Sequence, residues 1–217
     1  MANRGPYAKS ASTREHILDA ALALIGETGY TGATLQQIAD AVEMSKPGVL
    51  HHFGSRDALF TAVLARRDEI NATSFGHETD PVASLIDSVR HNADVPGLVA
   101  LFSAFAGIGA TVPIAPTADA YAPSLTGELE LAASHPAREF LAARYPGLVE
   151  TLAQAVRDRQ ADGGIPADRD PETVARLLIA TSDGLQTQWL LDPSIDMAAH
   201  LEALWAMVIS SPTTSAQ

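Results

Sequence analysis

The stretch from Thr34 to Phe60 constrains the fold most, because three helix-start signals follow one another within it. Thr34, Ser45 and Ser55 are each good N-cap residues, since a side-chain oxygen there accepts a hydrogen bond from a first-turn amide that otherwise has no partner. Helices as short as these are not stable alone in water. The sequence therefore predicts three short helices that pack on one another.

The helix that follows Ser45 has one apolar and one polar face. Val49 and Phe53 are four residues apart, so both point towards a core. Proline is tolerated in the first turn, where its missing amide would have had no partner. The residues off the buried face are Lys46, Gly48, Leu50 and His51. Two short helices joined by a tight turn, the second with a free polar face, indicate a helix-turn-helix, whose second helix enters the major groove of DNA.

The run from Ser45 to Phe60 reads Ser-Lys-Pro-Gly-Val-Leu-His-His-Phe-Gly-Ser-Arg-Asp-Ala-Leu-Phe. It closely resembles the recognition-helix signature of TetR-family transcriptional regulators. Further matches lie where that family ends its first helix and starts its second, at Gly29, Tyr30, Thr34, Ile38 and Ala39. The resemblance covers about the first 60 residues strongly and about the last 45 moderately.

Two positions depart from the family pattern. Glu43 stands where the family usually has a turn glycine, which costs up to about 1 kcal/mol if the backbone there is left-handed. Leu50 stands where the family usually has a tyrosine that contacts phosphate, so that contact is not carried over to this chain.

The resemblance implies an all-α fold. A three-helix helix-turn-helix head over residues 1–57 would bind DNA, and a larger helical domain over residues 58–217 would bind a ligand and dimerise. It further implies a homodimeric repressor that leaves a palindromic double-stranded operator when a small apolar or aromatic molecule binds, with no cofactor and no metal. The expected DNA-binding residues are Thr34, Ser45, Lys46, Pro47, Gly48, Leu50, His51, His52 and Arg56.

The net charge of −12 is divided unevenly along the chain. Residues 1–67 hold seven Lys/Arg and six Asp/Glu, hence +1, whereas residues 68–217 hold seven Arg and twenty Asp/Glu, hence −13. Phosphate repels an acidic surface, so only the N-terminal part is expected to face DNA. Residues 1–10 are either a frayed terminus or a basic arm, and Arg14, Arg66 and Arg67 are expected to be solvated.

The compartment is predicted from two features. The chain has no cysteine, and its N-terminus has no apolar signal core. We therefore expect a cytoplasmic protein. Residues 95–118 carry no charge, but their prolines and glycines leave about 15 helical residues, roughly 22 Å, against the ~30 Å of a bilayer core. This segment is predicted to be a buried helix rather than a membrane span.

Residues expected to bind the effector are aromatic or lie near the dimerisation region. Phe102 and Phe105 are three apart on one side of the buried helix, either as ordinary core or as the wall of an apolar cavity. Residues 111–127 form a long connection, either a lid or a disordered segment. The candidates are Phe102, Phe105, Tyr121, Gln186 and Trp189.

The last part of the chain predicts two adjacent antiparallel helices, one starting at Asp170-Pro171 and one capped by Ser194. Both are broadly apolar and carry small residues, so they have more apolar surface than one small domain covers. A four-helix-bundle dimer interface follows. The residues expected in it are Leu177, Thr181, Gly184, Leu201, Leu204 and Trp205.

Two other classes of function compete with the regulator. An enzyme is disfavoured, because the adjacent His51 and His52 point about 100° apart on a helix and no catalytic motif occurs. His91 and His135 also lack a recognisable partner in the sequence. The alternative is a helical ligand-binding dimer with weakened or lost DNA binding, which Glu43 and Leu50 leave open.

Overall fold

The computed structural model describes residues 6–74, 76, 80–109 and 135–210, and every regular element within these ranges is a helix. None of these helices is long and apolar enough to cross a membrane. The helices are α1 (Pro6–Gly32), α2 (Leu35–Ala41), α3 (Lys46–Phe53), α4 (Arg56–Ser74), α5 (Pro81–Asn92), α6 (Pro96–Gly109), α7 (Pro136–Ala161), α8 (Pro171–Leu191) and α9 (Met197–Ile209). The predicted all-α fold is confirmed.

The three predicted helix starts of the N-terminal region are confirmed by their caps. The side-chain oxygens of Thr34, Ser45 and Ser55 each accept a hydrogen bond from the amide three residues ahead, at 3.2, 3.2 and 3.0 Å. Gly54 ends α3 with φ of 83°, a conformation that glycine adopts without steric cost. Local chemistry therefore fixes the bounds of α2 and α3.

The sequence predicts a first helix that begins at Ser12 or Thr13 and ends near Gly29, and the bounds of α1 differ from this in part. The helix already begins at Pro6, so residues 6–10 are not a frayed end. Gly29 leaves helical geometry, with φ of 76° and ψ of 166°, and a further helical turn follows to Gly32. The predicted start is therefore wrong, whereas the predicted break at Gly29 is confirmed.

The predicted cap of the last helix is wrong. Ser194 does not cap it, because its amide and hydroxyl both donate to Asp192 Oδ1, at 3.0 and 2.6 Å. Asp196 caps α9 instead, since its Oδ1 accepts from the Ala199 amide at 2.9 Å. Accepting these two hydrogen bonds lowers the pKa of the Asp192 carboxyl. A turn around Asp192 thus precedes the helix.

Tyr145-Pro146 in the sequence predicts a kink or a restart of the helix; α7 runs through Pro146 as one helix, so no restart occurs. Proline lacks the amide that would continue the ladder of hydrogen bonds. Apolar residues at helical spacing nevertheless lie on one buried face on both sides of it, at Leu141, Val149, Leu152 and Val156. Burial of this face outweighs the one missing hydrogen bond.

The chain divides into two compact units, one of Met1–Ile70 and Val95–Leu141, the other of Asn71–Asp94 and Ala142–Gln217. In the first unit α6 packs along α1. A Cβ at Gly97 would lie 2.1 Å from the Ile25 carbonyl oxygen, so only glycine permits this approach. The predicted division between residues 57 and 58 concerns function and stays a prediction.

The second unit is built mainly on α5, α8 and α9. Asp80 caps α5 through Ala83 and also accepts a 2.6 Å hydrogen bond from Arg159 Nη2 on α7. Arg90 Nη2 on α5 donates to Glu202 Oε1 on α9, at 2.6 Å. Polar contacts therefore fasten α5 at both ends.

Glu43, in the turn between α2 and α3, has φ of 54°, which confirms the left-handed conformation suspected from the sequence. We expect Glu43→Gly to raise the free energy of unfolding by about 0.5–1 kcal/mol, because the Cβ strain of this conformation disappears. Urea unfolding followed by circular dichroism measures it. Glu43→Ala keeps the Cβ and should give no gain; an equal gain from alanine would contradict the backbone explanation.

Candidate nucleic-acid interface

The surface of α3 separates into a buried and an open side, as predicted. Val49 and Phe53 are buried. Lys46, Pro47 and His51 are exposed. Gly48, Leu50 and His52 are half-buried beside them, and Ser45 is exposed at the cap. The apolar side therefore fixes the helix and leaves its polar side available to a ligand.

Gly48 keeps the first turn of α3 narrow. A Cβ built there would lie 3.3 Å from Met44 Cε and 3.3 Å from Ser45 Oγ, which is tighter than nearly all real contacts. Glycine also allows another backbone to approach this turn closely. The lack of a side chain at Gly48 thus avoids close contacts with Met44 and Ser45.

The start of α2 is closed by a capping box. The Thr34 hydroxyl accepts from the Gln37 amide, while the Thr34 amide donates to Gln37 Oε1 at 3.0 Å. The Thr34 hydroxyl also lies 2.7 Å from Gln37 Oε1, to which it donates. The amide and the hydroxyl of Thr34, an expected DNA-binding residue, are therefore both already engaged with Gln37, although Thr34 itself is exposed.

Arg56, the first residue of α4, is held by aromatic rings. Its guanidinium carbon lies 4.4 Å from the centroid of Phe60 and 5.6 Å from that of Tyr30. The two rings contact each other edge to face, with centroids 5.6 Å apart. Stacking on an aromatic face leaves the in-plane N–H groups of a guanidinium free to bind phosphate. The N–H groups of Arg56, an expected DNA-binding residue, are therefore open to an acceptor.

Arg14 joins α1 to the end of α3, and the sequence analysis missed it. Its Nη1 donates to the His52 carbonyl oxygen at 2.6 Å, and its guanidinium carbon lies 4.1 Å from the Phe53 ring centroid. A cation at a helix C-terminus is favourable, and the carbonyl there lacks an intrahelical partner. The expectation that Arg14 is merely solvated is wrong, because it positions α3 against α1.

Replacing Arg14 by methionine should lower the free energy of unfolding by about 1 kcal/mol, the usual worth of one hydrogen bond together with an exposed cation–π contact. It should also weaken DNA binding, since α3 loses its fixed end. Thermal unfolding and duplex titration measure the two effects. Arg157→Met, an exposed arginine on α7, is the matched control. Equal stability of both variants would contradict the positioning role.

The two histidines of α3 serve as separate groups. The ring centroids of His51 and His52 are 5.8 Å apart with planes at 72°. In the described part of the chain, no cluster of three or more His, Asp or Glu side chains is placed to hold a metal ion. His91 Nδ1 lies 3.6 Å from Asp94 and His135 Nε2 lies 3.6 Å from Asp57, so both have partners that the sequence did not reveal.

The residues expected to bind an effector fall into both units. Phe102 and Phe105 are 2% and 1% exposed in the first unit, where Phe105 packs edge to face on Tyr30. Gln186 and Trp189 are buried in the second unit, and Gln186 Oε1 accepts from Asn92 Nδ2 at 3.3 Å. Tyr121 and residues 111–127 lie outside the described residues.

Trp189 borders a cavity of about 310 Å³ in the second unit. The end of α5 and the turn before α9 form the rest of its wall, including Val89, Arg90, Pro193 and Met197. The predicted ligand residue Gln186 is not among its lining residues. Trp189 is thus the one predicted residue at this cavity within the described chain.

The residues expected in a dimer interface differ in exposure. Leu177 is 51% exposed, and Thr181, Gly184, Leu204 and Trp205 are half-buried. Leu201 is fully buried in its own chain and offers no surface. On α8 and α9, three further apolar residues are exposed that the sequence did not predict in the interface, namely Leu191, Met207 and Ile209.

Comparison with known proteins decides what these features belong to. Residues 17–63 match the model of bacterial regulatory proteins of the tetR family, and residues 129–210 match that of the BetI-type transcriptional repressor C-terminal region. The chain belongs to the TetR family. This family consists of transcriptional regulators and not of enzymes, and its members bind DNA and form dimers.

Individual relatives agree with this TetR-family assignment. The transcriptional repressor AcnR of Corynebacterium efficiens is 40% identical over 60 residues, which are 28% of this chain and 31% of AcnR. The chain thus matches under a third of that relative's length. The regulator UidR of Escherichia coli K12 is 25% identical over 202 residues, 90% of this chain and 91% of UidR.

Solved structures confirm the fold. Salmonella enterica GusR superposes with a TM-score of 0.59 at 24% identity, covering 91% of this chain and 95% of GusR. NalD, the secondary repressor of the MexAB-OprM multidrug efflux pump in Pseudomonas aeruginosa, has a TM-score of 0.56 at 22% identity, covering 94% and 98%. The helical arrangement of this TetR-family chain is therefore that of its family.

Proposed function

We propose that this TetR-family protein is a homodimeric transcriptional repressor that binds a palindromic operator through α3 and leaves it when a small ligand binds. The observation that carries the proposal is the two-sided α3, with Val49 and Phe53 buried and Lys46 and His51 exposed. The choice of a repressor over an activator follows relatives such as the transcriptional repressor AcnR. The alternative is a ligand-binding dimer without operator binding.

The proposed DNA surface matches the distribution of charge. Lys46 and Arg56, the exposed cations among the proposed DNA-binding residues, lie in residues 1–67, which sum to +1, whereas the remainder carries −13. In the proposed roles, Lys46 reaches a guanine edge or phosphate, His51 and His52 donate to phosphate, and Leu50 contacts a thymine methyl. Contacts between cationic side chains and phosphate carry much of the proposed binding, so salt should weaken it.

The proposed dimer forms through α8 and α9. One face of α8 carries no charge over four turns, and its residues at helical spacing are Leu177, Ala180, Thr181, Gly184, Gln188 and Leu191. Leu191 is 86% exposed there, and Met207 on α9 is 66% exposed. A Cβ built at Gly184 meets no atom within 4 Å, so space for a neighbouring helix is open. A second α8–α9 pair would cover this surface.

Two equivalent heads related by a two-fold axis require an operator with the same symmetry. The half-sites would lie about 34–36 Å apart, one helical turn of DNA, or at a small multiple of this distance. Residues 1–57 act as the DNA-binding domain in this proposal and residues 58–217 as the regulatory domain. The regulator would act in the cytoplasm.

The proposed ligand changes operator affinity by binding one arrangement of the two heads better than another. Allosteric coupling of about 1–3 kcal/mol shifts affinity roughly 5- to 150-fold. The proposed ligand is apolar or aromatic and contacts residues among Phe102, Phe105, Tyr121, Gln186 and Trp189. Buried aromatic rings at Phe102, Phe105 and Trp189 support this choice.

Selection of bound duplexes from a random double-stranded library tests the proposal and requires no candidate operator sequence. We expect enrichment of a palindrome whose half-sites share one face of the duplex. An enriched site without two-fold symmetry would contradict the homodimeric mode. Failure to enrich any sequence would contradict operator binding and favour the ligand-binding dimer.

A further inference from the structure

Arg67 on α4 is buried, contrary to the expectation that it is solvated. The residue is 5% exposed and its guanidinium carbon lies 5.1 Å from the ring centroid of Phe102, which is itself 2% exposed. Its Nη2 donates to Asp68 Oδ1 at 2.8 Å. Its Nε and Nη1 find no acceptor among the described residues. A buried guanidinium therefore has donors that the described part of the chain leaves unused.

Such an arrangement is rare, because a buried donor without an acceptor loses its hydration and gains nothing in exchange. Asp68 offsets the charge only in part, since its side chain remains 29% exposed. Phe102 compensates the charge through its ring face but accepts no strong hydrogen bond. Arg67 thus keeps the capacity to bind an acceptor beyond those that the described residues supply.

We propose that Arg67 binds the carboxylate of a small apolar effector. This inference rests on the proposed function, because the effector is the molecule that releases the operator. A carboxylate supplies the missing acceptors and is the group whose geometry a guanidinium fits best. The α4 residues one and two turns before Arg67 on the same face are apolar and fully buried, namely Phe60, Val63 and Leu64. The effector class is therefore an acid with an apolar body, narrower than the apolar or aromatic molecule expected from the sequence.

The position of Arg67 connects this anion site to DNA binding. Arg56, one of the residues expected to bind DNA, lies eleven residues earlier on the same helix, about 16 Å away at the rise of an α-helix. A carboxylate held by Arg67 thus acts directly on the helix that begins beside α3. No further element is needed to carry the effect.

The first test uses the full chain without any added acid. Arg67→Met removes the unmet donors and keeps the apolar stem, so we expect a melting temperature equal to or above that of the wild type. If Arg67 were a purely structural residue, the same substitution would lower the melting temperature. A marked decrease in a folded variant would therefore overturn the proposal.

The second test measures, by calorimetry, the binding of sodium phenylacetate and sodium octanoate to the full chain. Their neutral amides, phenylacetamide and octanamide, are titrated into the protein in parallel. We expect at least one acid to bind the wild type and to bind Arg67→Met roughly 10- to 100-fold more weakly, the loss of a charge-assisted contact. The amides should bind neither protein well. Arg66→Met is the matched control, because the neighbouring Arg66 already pairs with Asp19 at 3.0 Å. It should keep the response to acid.

Operator binding separates this inference from the proposed function. Arg67→Met should bind the selected duplex as the wild type does but no longer release it on addition of acid. If neither acid binds the wild type, or if the variant binds acids equally well, the anion site is wrong while operator binding stands. If the wild type binds no duplex, the proposed function fails, and calorimetry of acid binding still decides the role of Arg67.

Discussion

Lys46→Ala should weaken operator binding roughly tenfold or more, whereas the free energy of unfolding should not change. Lys46 is the first residue of α3 and is exposed. Within the part of the chain that the structure describes, its side chain has no hydrogen bond or ion pair. Removal of this side chain therefore costs the fold nothing, and any loss of affinity reports on DNA contact. Fluorescence anisotropy with a labelled duplex measures it.

The dependence on salt distinguishes the two contacts proposed for Lys46. If the residue binds phosphate, the slope of log affinity against log salt, which is negative, should become about 0.9 less steep in Lys46→Ala. If it binds a guanine edge, the salt slope should stay as in the wild type, and the preference for guanine at one base pair of the operator should decrease. Arg157→Ala on α7 removes the same charge outside the head and should have little effect. Unchanged affinity of Lys46→Ala would exclude Lys46 from the interface.

Leu177→Glu should convert the proposed dimer into a monomer and lower operator affinity about 100-fold or more, because a monomer binds DNA through one head only and loses the avidity of two linked heads. Leu177 lies 51% exposed on the uncharged face of α8. A carboxylate there would lose its hydration at the centre of a helix–helix contact. Sedimentation equilibrium measures the mass, and anisotropy measures the affinity.

Thr151→Glu provides the control for this substitution. It introduces the same charge at an exposed position on α7 and should leave the dimer intact. Circular dichroism shows whether Leu177→Glu remains helical, so that dissociation is not confused with unfolding. A dimeric Leu177→Glu with normal affinity would remove α8 from the proposed interface.

The sequence was sufficient for features that depend on neighbouring residues. The caps at Thr34, Ser45 and Ser55 are set by contacts three residues apart, and each is confirmed. The expected cap at Ser194 is wrong, because aspartate also caps helices and Asp196 lies two residues further on. Asp192 decides between the two by accepting the hydroxyl of Ser194, a contact that sequence reading gives no means of ranking.

Contacts between distant parts of the chain could not be predicted. Arg14 and His52 are 38 residues apart, and nothing in the pattern of α1 marks Arg14 as a partner of α3. The burial of Arg67 depends in the same way on Phe102 of α6. Long polar side chains were assigned to solvent because most are there. The packing of particular helices decides the exceptions.

Binding of the purified protein to a duplex carrying the promoter region next to its own gene, titrated with salt, tests the central claim most directly. A fluorescent duplex and a random duplex of equal length are compared at each salt concentration. We predict tighter binding to the promoter duplex, with affinity that falls steeply as salt rises, since phosphate contacts carry much of it. Equal and weak binding to both duplexes, together with failure to select any operator from the random library, would contradict the claim that this protein binds an operator.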